Sequence, residues 1–371
     1  MESCLIVGGG VVGLSLAYEL ARHGWSVRVL DQSTPGREAS WAGAGILPPA
    51  NSDTALHPLD QLRGLSFRLH EVWARELYAE TGIDTGFRRC GGLYLARSPG
   101  EAAALQGLAA LLQDEQVAVE RLDIRQISRW EPELAAAVDQ GRIRHALRLP
   151  AEAQLRNPRH LAALSAACQR RGVDIVAHAP VTHLPTAHGR ITAAETPQGT
   201  WTADRYCFTA GAWTAKLLEP LGIALGIVPI RGQMVLFSTP QPPLRHILNE
   251  GPRYIVPRDD GHVLVGSTEE EAGFDKQTTD HEIAGLVAFA RELVPALESA
   301  VIERTWAGLR PGVYDGLPYL GAVPGLDNGF VAAGHFRSGL YLSPGTAVVL
   351  ADLIAGKTPS IDLRPFRVSR G

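Results

Sequence analysis

The sequence predicts an α/β fold: a Rossmann-type nucleotide-binding domain, discontinuous along the chain, with a β-rich α+β domain inserted into it. Three observations carry that expectation. The first thirty-one residues read strand, glycine turn, helix, strand, acid. Residues 150 to 215 show α/β layering again after an interval of different character. The stretch from Arg231 to Ser267 is rich in β-formers, and the chain closes on strand, glycine turn and helix. A chain of 371 residues is long for a single core, so two domains are expected.

The opening unit is the most informative. Cys4-Leu5-Ile6-Val7 is a short apolar run of the kind that forms a buried parallel strand. It leads into Gly8-Gly9-Gly10-Val11-Val12-Gly13, a G-x-G-x-x-G turn. The helix that follows puts Leu14, Leu16, Ala17, Leu20 and Ala21 on its apolar side, with Gly24 past its end. Val27 to Leu30 is a second strand, and Asp31 closes it. Gly8 permits the tight turn, Gly10 lets main chain approach a pyrophosphate, and Gly13 lets helix and strand pack closely. The helix N-terminus offers free N–H groups and a positive dipole end to phosphate. Asp31 is placed to accept hydrogen bonds from a ribose diol. These residues predict dinucleotide binding, and by themselves leave NAD and FAD both open.

Beyond Asp31, the segment Gly36 to Leu47 is rich in small residues, as where main chain lies against something flat or bulky. Trp41, Ile46 and Leu47 give it packing anchors. Residues 60 to 80 carry Leu62, Leu65, Leu69, Val72, Trp73 and Leu77 at helical spacing. Leu93 to Ala96 reads as a strand and Pro99 to Gln113 as a helix. Asn157 is expected to cap a helix that has Pro158 in its first turn and Gly172 beyond its end. Val173–Val181 and Trp201–Thr209 are expected strands. Arg231–Phe237, Arg253–Pro257 and His262–Ser267 are β-rich, with Asp259-Asp260-Gly261 as a hairpin turn. Thr279 and Glu282 suggest a capping box. Gly329 to Ala333 reads as strand, and a helix is expected from about Pro344 to Ala355. The expected nucleotide-binding domain comprises 1–88, 148–222 and 308–371, and the inserted substrate domain 89–147 and 223–307.

Bulk properties narrow the function. A net charge of −4 gives no basic field for nucleic acid and no polybasic membrane patch. No apolar run approaches the ~20 residues needed to span a bilayer. Cys4, Cys90, Cys168 and Cys207 lie far apart and read as buried free thiols of a reducing compartment. The twelve histidines show no H-x-H or H-E-x-x-H spacing, so no metal is expected. With no basic segment ahead of the first strand, no signal peptide is expected and the protein reads as cytoplasmic.

Four stretches together resemble one family. They are the opening glycine unit, Ala39-Ser40 with Ala44-Gly45-Ile46, Trp306-Ala307-Gly308-Leu309-Arg310-Pro311, and Ala332-Ala333-Gly334-His335-Phe336-Arg337-Ser338-Gly339. In this order they resemble the D-amino acid oxidase family of FAD-dependent enzymes, in particular its glycine-oxidising members of thiamine biosynthesis. The resemblance implies FAD rather than NAD, held noncovalently, since no matching Cys or His attachment is seen. It implies that Gly8, Gly10, Val11, Val12, Gly13, Asp31 and Gln32 follow the ADP part, and that Val181 meets the adenosine half through its backbone. It places Ala39, Ser40, Ala44, Gly45 and Ile46 at the flavin end. It sets His335, Phe336, Arg337, Ser338, Gly339, Leu340 and Tyr341 against the isoalloxazine.

The resemblance further implies oxidative deamination of glycine, sarcosine and small D-amino acids by hydride transfer to flavin N5. Products are the 2-oxo acid, ammonia and hydrogen peroxide; partners are a small amino acid and O2, with homo-oligomerisation left open. A guanidinium pairs bidentately with a carboxylate, and Arg310 in its apolar context is the expected anchor, with a salt bridge to a protein acid as the bland alternative. Tyr254 matches a tyrosine assisting that anchor, Arg337 a second arginine near the substrate, and Ile46 an apolar pocket wall. Glu269 departs from the family pattern, standing where an apolar residue is expected. It is either a solvated turn residue or a pocket group that would alter preference. Alternatives are a D-amino acid dehydrogenase passing electrons to a quinone, and a noncatalytic flavin-binding protein.

Overall fold

The computed structural model describes residues 2–370. A six-stranded sheet carries the opening unit at its centre. Its spatial order is Tyr319–Ala322, Gly329–Ala333, Arg205–Phe208, Ser3–Val7, Ser26–Leu30 and Asp174–Val176. All neighbours are parallel except the edge strand Tyr319–Ala322, which runs antiparallel to Gly329–Ala333. One face is covered by the helices Val11–Arg22, Pro58–Thr81, Asn157–Arg170 and Gly339–Ile354, which share a core with Cys4, Ile6, Val29 and Cys207. Leu5, Val7, Tyr206, Phe208 and Val331 point the other way, into a core with Leu184, Leu218 and Ile227. Buried on both faces, the strands are continuous apolar runs, as parallel sheets require.

The second large sheet has eight strands and is mostly antiparallel. Its order is Val301–Val313, Ile227–Ser238, His262–Gly266, Arg253–Pro257, Ile247–Glu250, Gly92–Ala96, His145–Leu149 and Glu120–Leu122. Only Ile247–Glu250 and Gly92–Ala96 pair in parallel. Strand side chains alternate faces, and the cores record it. Leu93, Leu95, Val235, Phe237, Leu248, Ile255, Val263 and Val265 pack under the helix Asp280–Leu293. Met234, Ile247, Tyr254, Val256 and Leu264 face the opposite side, with Ala44 and Ile46. A small sheet of Ile46–Leu47, Ala153–Gln154 and Arg88–Arg89 lies between.

The α/β class and most elements agree with the sequence reading; several boundaries do not. The last helix begins at Gly339, not Pro344, so Pro344 lies inside it. Proline removes the N–H that would reach the Leu340 carbonyl, and the Ser343 hydroxyl donates to that carbonyl instead at 2.9 Å. Asn157 does not cap its helix: its Nδ2 donates to the Ser40 carbonyl at 2.7 Å. Thr279 precedes its helix, but no capping box forms, because Gln233 takes both its backbone N–H and its hydroxyl. The strand expected over Val173–Val181 shortens to Asp174–Val176. The chain then turns so that His178 and Ala179 donate to Ser33 and Asp31 carbonyls. Trp201–Thr209 divides: Trp201 pairs with Ala194, whereas Arg205–Phe208 joins the parallel sheet. Cys90 is half-buried rather than buried, and the four cysteines are unpaired.

Candidate active site

A cavity of about 410 Å³ opens where the carboxyl ends of the parallel strands meet the second sheet, the crevice such sheets use for ligands. Its deep wall is main chain. Gly8 holds φ of +109°, and a Cβ there would lie 2.6 Å from the Thr209 carbonyl oxygen. Gly13 faces away from the cavity; a Cβ on it would strike the Gly8 carbonyl, so it serves close packing. The helix Val11–Arg22 starts at this turn with no side-chain cap and no acid in its first turn. Asp31 receives Gly9 N–H at 2.7 Å and Ser33 N–H at 2.8 Å, so its carboxylate braces the turn it was expected to follow. The helix Gly339–Ile354 also starts against the cavity without a side-chain cap. Two helix N-termini and a glycine turn form a cradle suited to an anionic dinucleotide.

The small-residue segment is held as a rigid wall. Three of its carbonyls are fixed from elsewhere in the chain: Ser40 by Asn157, Ala42 by Trp306 Nε1 at 3.1 Å, and Ala44 by Arg258 Nη2 at 2.7 Å. The Ser40 hydroxyl accepts from Val11 N–H at 2.9 Å, joining this wall to the glycine turn. Gly308 admits it closely, since a Cβ there would meet the Ala42 methyl. Arg258 is buried among neutral oxygens, and burial pulls its pKa down to about 10.

At the other end the wall is made of side chains. Arg310 is half-buried, donating to the Ser267 hydroxyl at 2.7 Å and the Thr268 carbonyl at 3.1 Å. Gly232 on the adjoining strand, two residues from the position opposite Arg310, leaves the space its guanidinium fills. Among the described residues no carboxylate bonds to it, and burial holds its pKa below the ordinary guanidinium value. The structural salt bridge is therefore not what holds Arg310. Tyr254, 9% exposed, lines the cavity nearby, its hydroxyl 3.3 Å from Met234 Sδ.

Every sequence-proposed residue lines the cavity except Gly13 and Glu269. Glu269 sits outside, ion-paired with Arg337, whose other nitrogen donates to the Pro252 carbonyl at 2.8 Å. His335 is buried against Thr346, and burial lowers its pKa to about 4, so it is neutral. The sequence reading missed Tyr94, Asn249, Thr209, Asn157 and Arg258. Tyr94 alone had a visible signal: it is the tyrosine between Leu93 and Leu95, on the opposite face of an alternating strand.

The comparisons agree with this geometry. Residues 3–353 match the DAO family, described as FAD dependent oxidoreductase. A glycine oxidase of Pseudomonas putida is 38% identical over 366 residues, covering 98% of each chain. A bifunctional ThiO/ThiG protein of Synechocystis is 34% identical over 99% of this chain and 53% of its own length. The crystal structure of glycine oxidase from Geobacillus kaustophilus superposes with a TM-score of 0.93 at 33% identity, over the whole of both chains.

Proposed function

The chain belongs to the DAO family of FAD-dependent oxidoreductases, and on that premise we propose that it oxidises glycine. Sarcosine and small D-amino acids are the further substrates of this reading. Glycine, O2 and water become glyoxylate, ammonia and hydrogen peroxide. The observation that carries the reading is Arg310, a half-buried guanidinium at the edge of the cavity that, among the described residues, bonds only to neutral partners. A buried cation without an anion is costly, and an amino acid carboxylate supplies the anion in the matching planar geometry.

Arg310 binds the substrate carboxylate, and Tyr254 beside it adds a hydroxyl. Ile46 closes the pocket on its apolar side. Arg337, held at the rim by Glu269 and Pro252, contributes positive charge near the carboxylate end. Gly8, Gly10, Val11, Val12, Asp31, Gln32 and Val181 hold the ADP part of FAD, with Gly13 packing behind. Ala39, Ser40, Ala44, Gly45 and the run His335 to Tyr341 hold its ring end. Bound FAD supplies the two-electron oxidant that accepts the α-hydrogen as hydride and is restored by O2. The chain's own contribution is positioning: the carboxylate anchor orients the α-carbon, and the fixed Ser40–Ala44 carbonyls keep that end of the cavity rigid. The bifunctional ThiO/ThiG relative supports a place in thiamine biosynthesis. The unpaired cysteines support the cytoplasm as the compartment. No helix among the described residues is long and apolar enough to cross a membrane.

The test is an absorption spectrum of purified protein, followed by anaerobic glycine. Yellow protein that bleaches, then regains colour in air with peroxide formed, is the expected result. Bleaching only with a larger D-amino acid would replace glycine as substrate. Bleaching without recovery in air would favour a dehydrogenase.

A further inference from the structure

The cavity face of the antiparallel sheet also carries a buried carboxyl with no cation bonded to it among the described residues. Glu152 has no measurable exposure. Its carboxyl carbon fills the space over Gly92, where a Cβ would lie 2.5 Å away. Among the described residues no cation bonds to it. Its side-chain partners are the Tyr94 hydroxyl at 2.8 Å and Asn249 Nδ2 at 3.1 Å. Burial pushes its pKa up to about 7, the behaviour of a carboxyl lacking a cation.

Strand register puts its partners in one row with Tyr254. Tyr94 stands opposite Asn249, and Asn249 opposite Tyr254. All three line the cavity. Directly opposed residues of antiparallel strands, as Asn249 and Tyr254 are, stand about 4.5–5.5 Å apart, a span a small amino acid can bridge. An ionised carboxylate can only accept. In that form it accepts hydrogen bonds from the Tyr94 hydroxyl and one Asn249 N–H, which leaves the Tyr94 oxygen lone pairs and Asn249 Oδ1 for another donor. An amino group is such a donor.

We propose that Glu152 is a positioning residue for the substrate's amino group, acting through Tyr94 and Asn249 as acceptors toward the cavity. The site is then complementary to a zwitterion: Arg310 and Tyr254 hold the carboxylate, and Tyr94 and Asn249, polarised by Glu152, hold the amino end. The two protein charges find their counter-ions in one ligand. The sheet row thereby favours amines over carboxylic acids of the same size. The inference rests on the reading of this cavity as an amino acid oxidase site.

The test compares two ligands on FAD-loaded wild type, Glu152→Gln and Tyr94→Phe. Glycine has both ends; acetate has the carboxylate alone and is followed by its perturbation of the flavin spectrum. Glu152→Gln should raise the glycine KM about tenfold, a change of ~1.4 kcal/mol, with the acetate Kd within about twofold. Tyr94→Phe should move the same ratio in the same direction by a smaller factor. Equal weakening of glycine and acetate, or no change in either, overturns the proposal. If Glu152→Gln does not fold, the Tyr94→Phe ratio decides. A wild type bleached by no amino acid overturns the functional reading and this inference together. A wild type bleached by glycine, with a flat ratio in the variants, overturns the inference alone.

Discussion

Where the parallel sheet meets the cavity, the wall is main chain; where the antiparallel sheet meets it, the wall is side chain. The first end is made by removing atoms. Gly8, Gly13 and Gly45 each leave room that a Cβ would fill with the clash of a backbone carbonyl, and uncapped helix N-termini do the electrostatic work. The second end is made by placing atoms. Arg310, Tyr254, Asn249 and Tyr94 come from four strands of one sheet; register aligns the last three, and Arg310 lies further along its own strand. Main chain suits a ligand whose recognised features are a pyrophosphate and a flat ring system. Side chains on a rigid sheet suit a small ligand with two charged ends, because each can be changed without disturbing the frame.

That contrast predicts opposite failures. Gly13→Val should have the largest effect. The new Cβ would meet the Gly8 carbonyl and lie 2.6 Å from Thr209 Oγ1, and neither can retreat, because the Thr209 hydroxyl donates to the Gly8 carbonyl at 2.7 Å. Overpacking of this kind costs ~1–3 kcal/mol or more. The expected protein is colourless or insoluble, and a flavin-to-protein absorbance ratio with a melting curve reads it. Yellow protein with an unchanged melting temperature would break the contrast. Arg310→Ala should do the reverse. Flavin content should stay, while glycine binding loses ~2–5 kcal/mol, a KM rise of at least about thirtyfold. Colourless, unfolded Arg310→Ala protein would make that arginine part of the frame.

The same contrast explains what could be read from the chain. The glycine turn, its helix and Asp31 fall within thirty-one residues, so local spacing revealed both their structure and their ligand class. The resemblance brought in Arg310, Tyr254 and the His335–Tyr341 run, because each sits in a contiguous motif. Glu152, Tyr94 and Asn249 belong to no motif. They meet only after the strand Gly92–Ala96 pairs with Ile247–Glu250, a choice made by the whole sheet. Asn157 and Thr279 misled for a related reason. Their side chains fit a local cap, but a distant group outcompetes it: the Ser40 carbonyl in one case and Gln233 in the other. Pro344 looked like a helix start because the rescue of the Leu340 carbonyl by Ser343 is a side-chain event.

Glu269 tests whether the contrast extends to the rim, and the smallest effect is expected there. Its carboxylate is outside the cavity lining and pairs with Arg337, with side chains 37% and 31% exposed. Exposed pairs contribute ~0–1 kcal/mol, because water screens them and two long side chains must be ordered. Arg337 also keeps its bond to the Pro252 carbonyl, so losing the partner need not release it. Glu269→Leu should therefore leave the glycine KM within about threefold and the order of preference among glycine, sarcosine and larger D-amino acids unchanged. Raising salt on the wild type should mimic the variant, since it weakens the same pair. A reordered preference in Glu269→Leu, absent at high salt, would mean that the carboxylate acts on the ligand itself. The side-chain wall would then reach out to the rim, and Arg337 would belong to the part of the site that selects substrates.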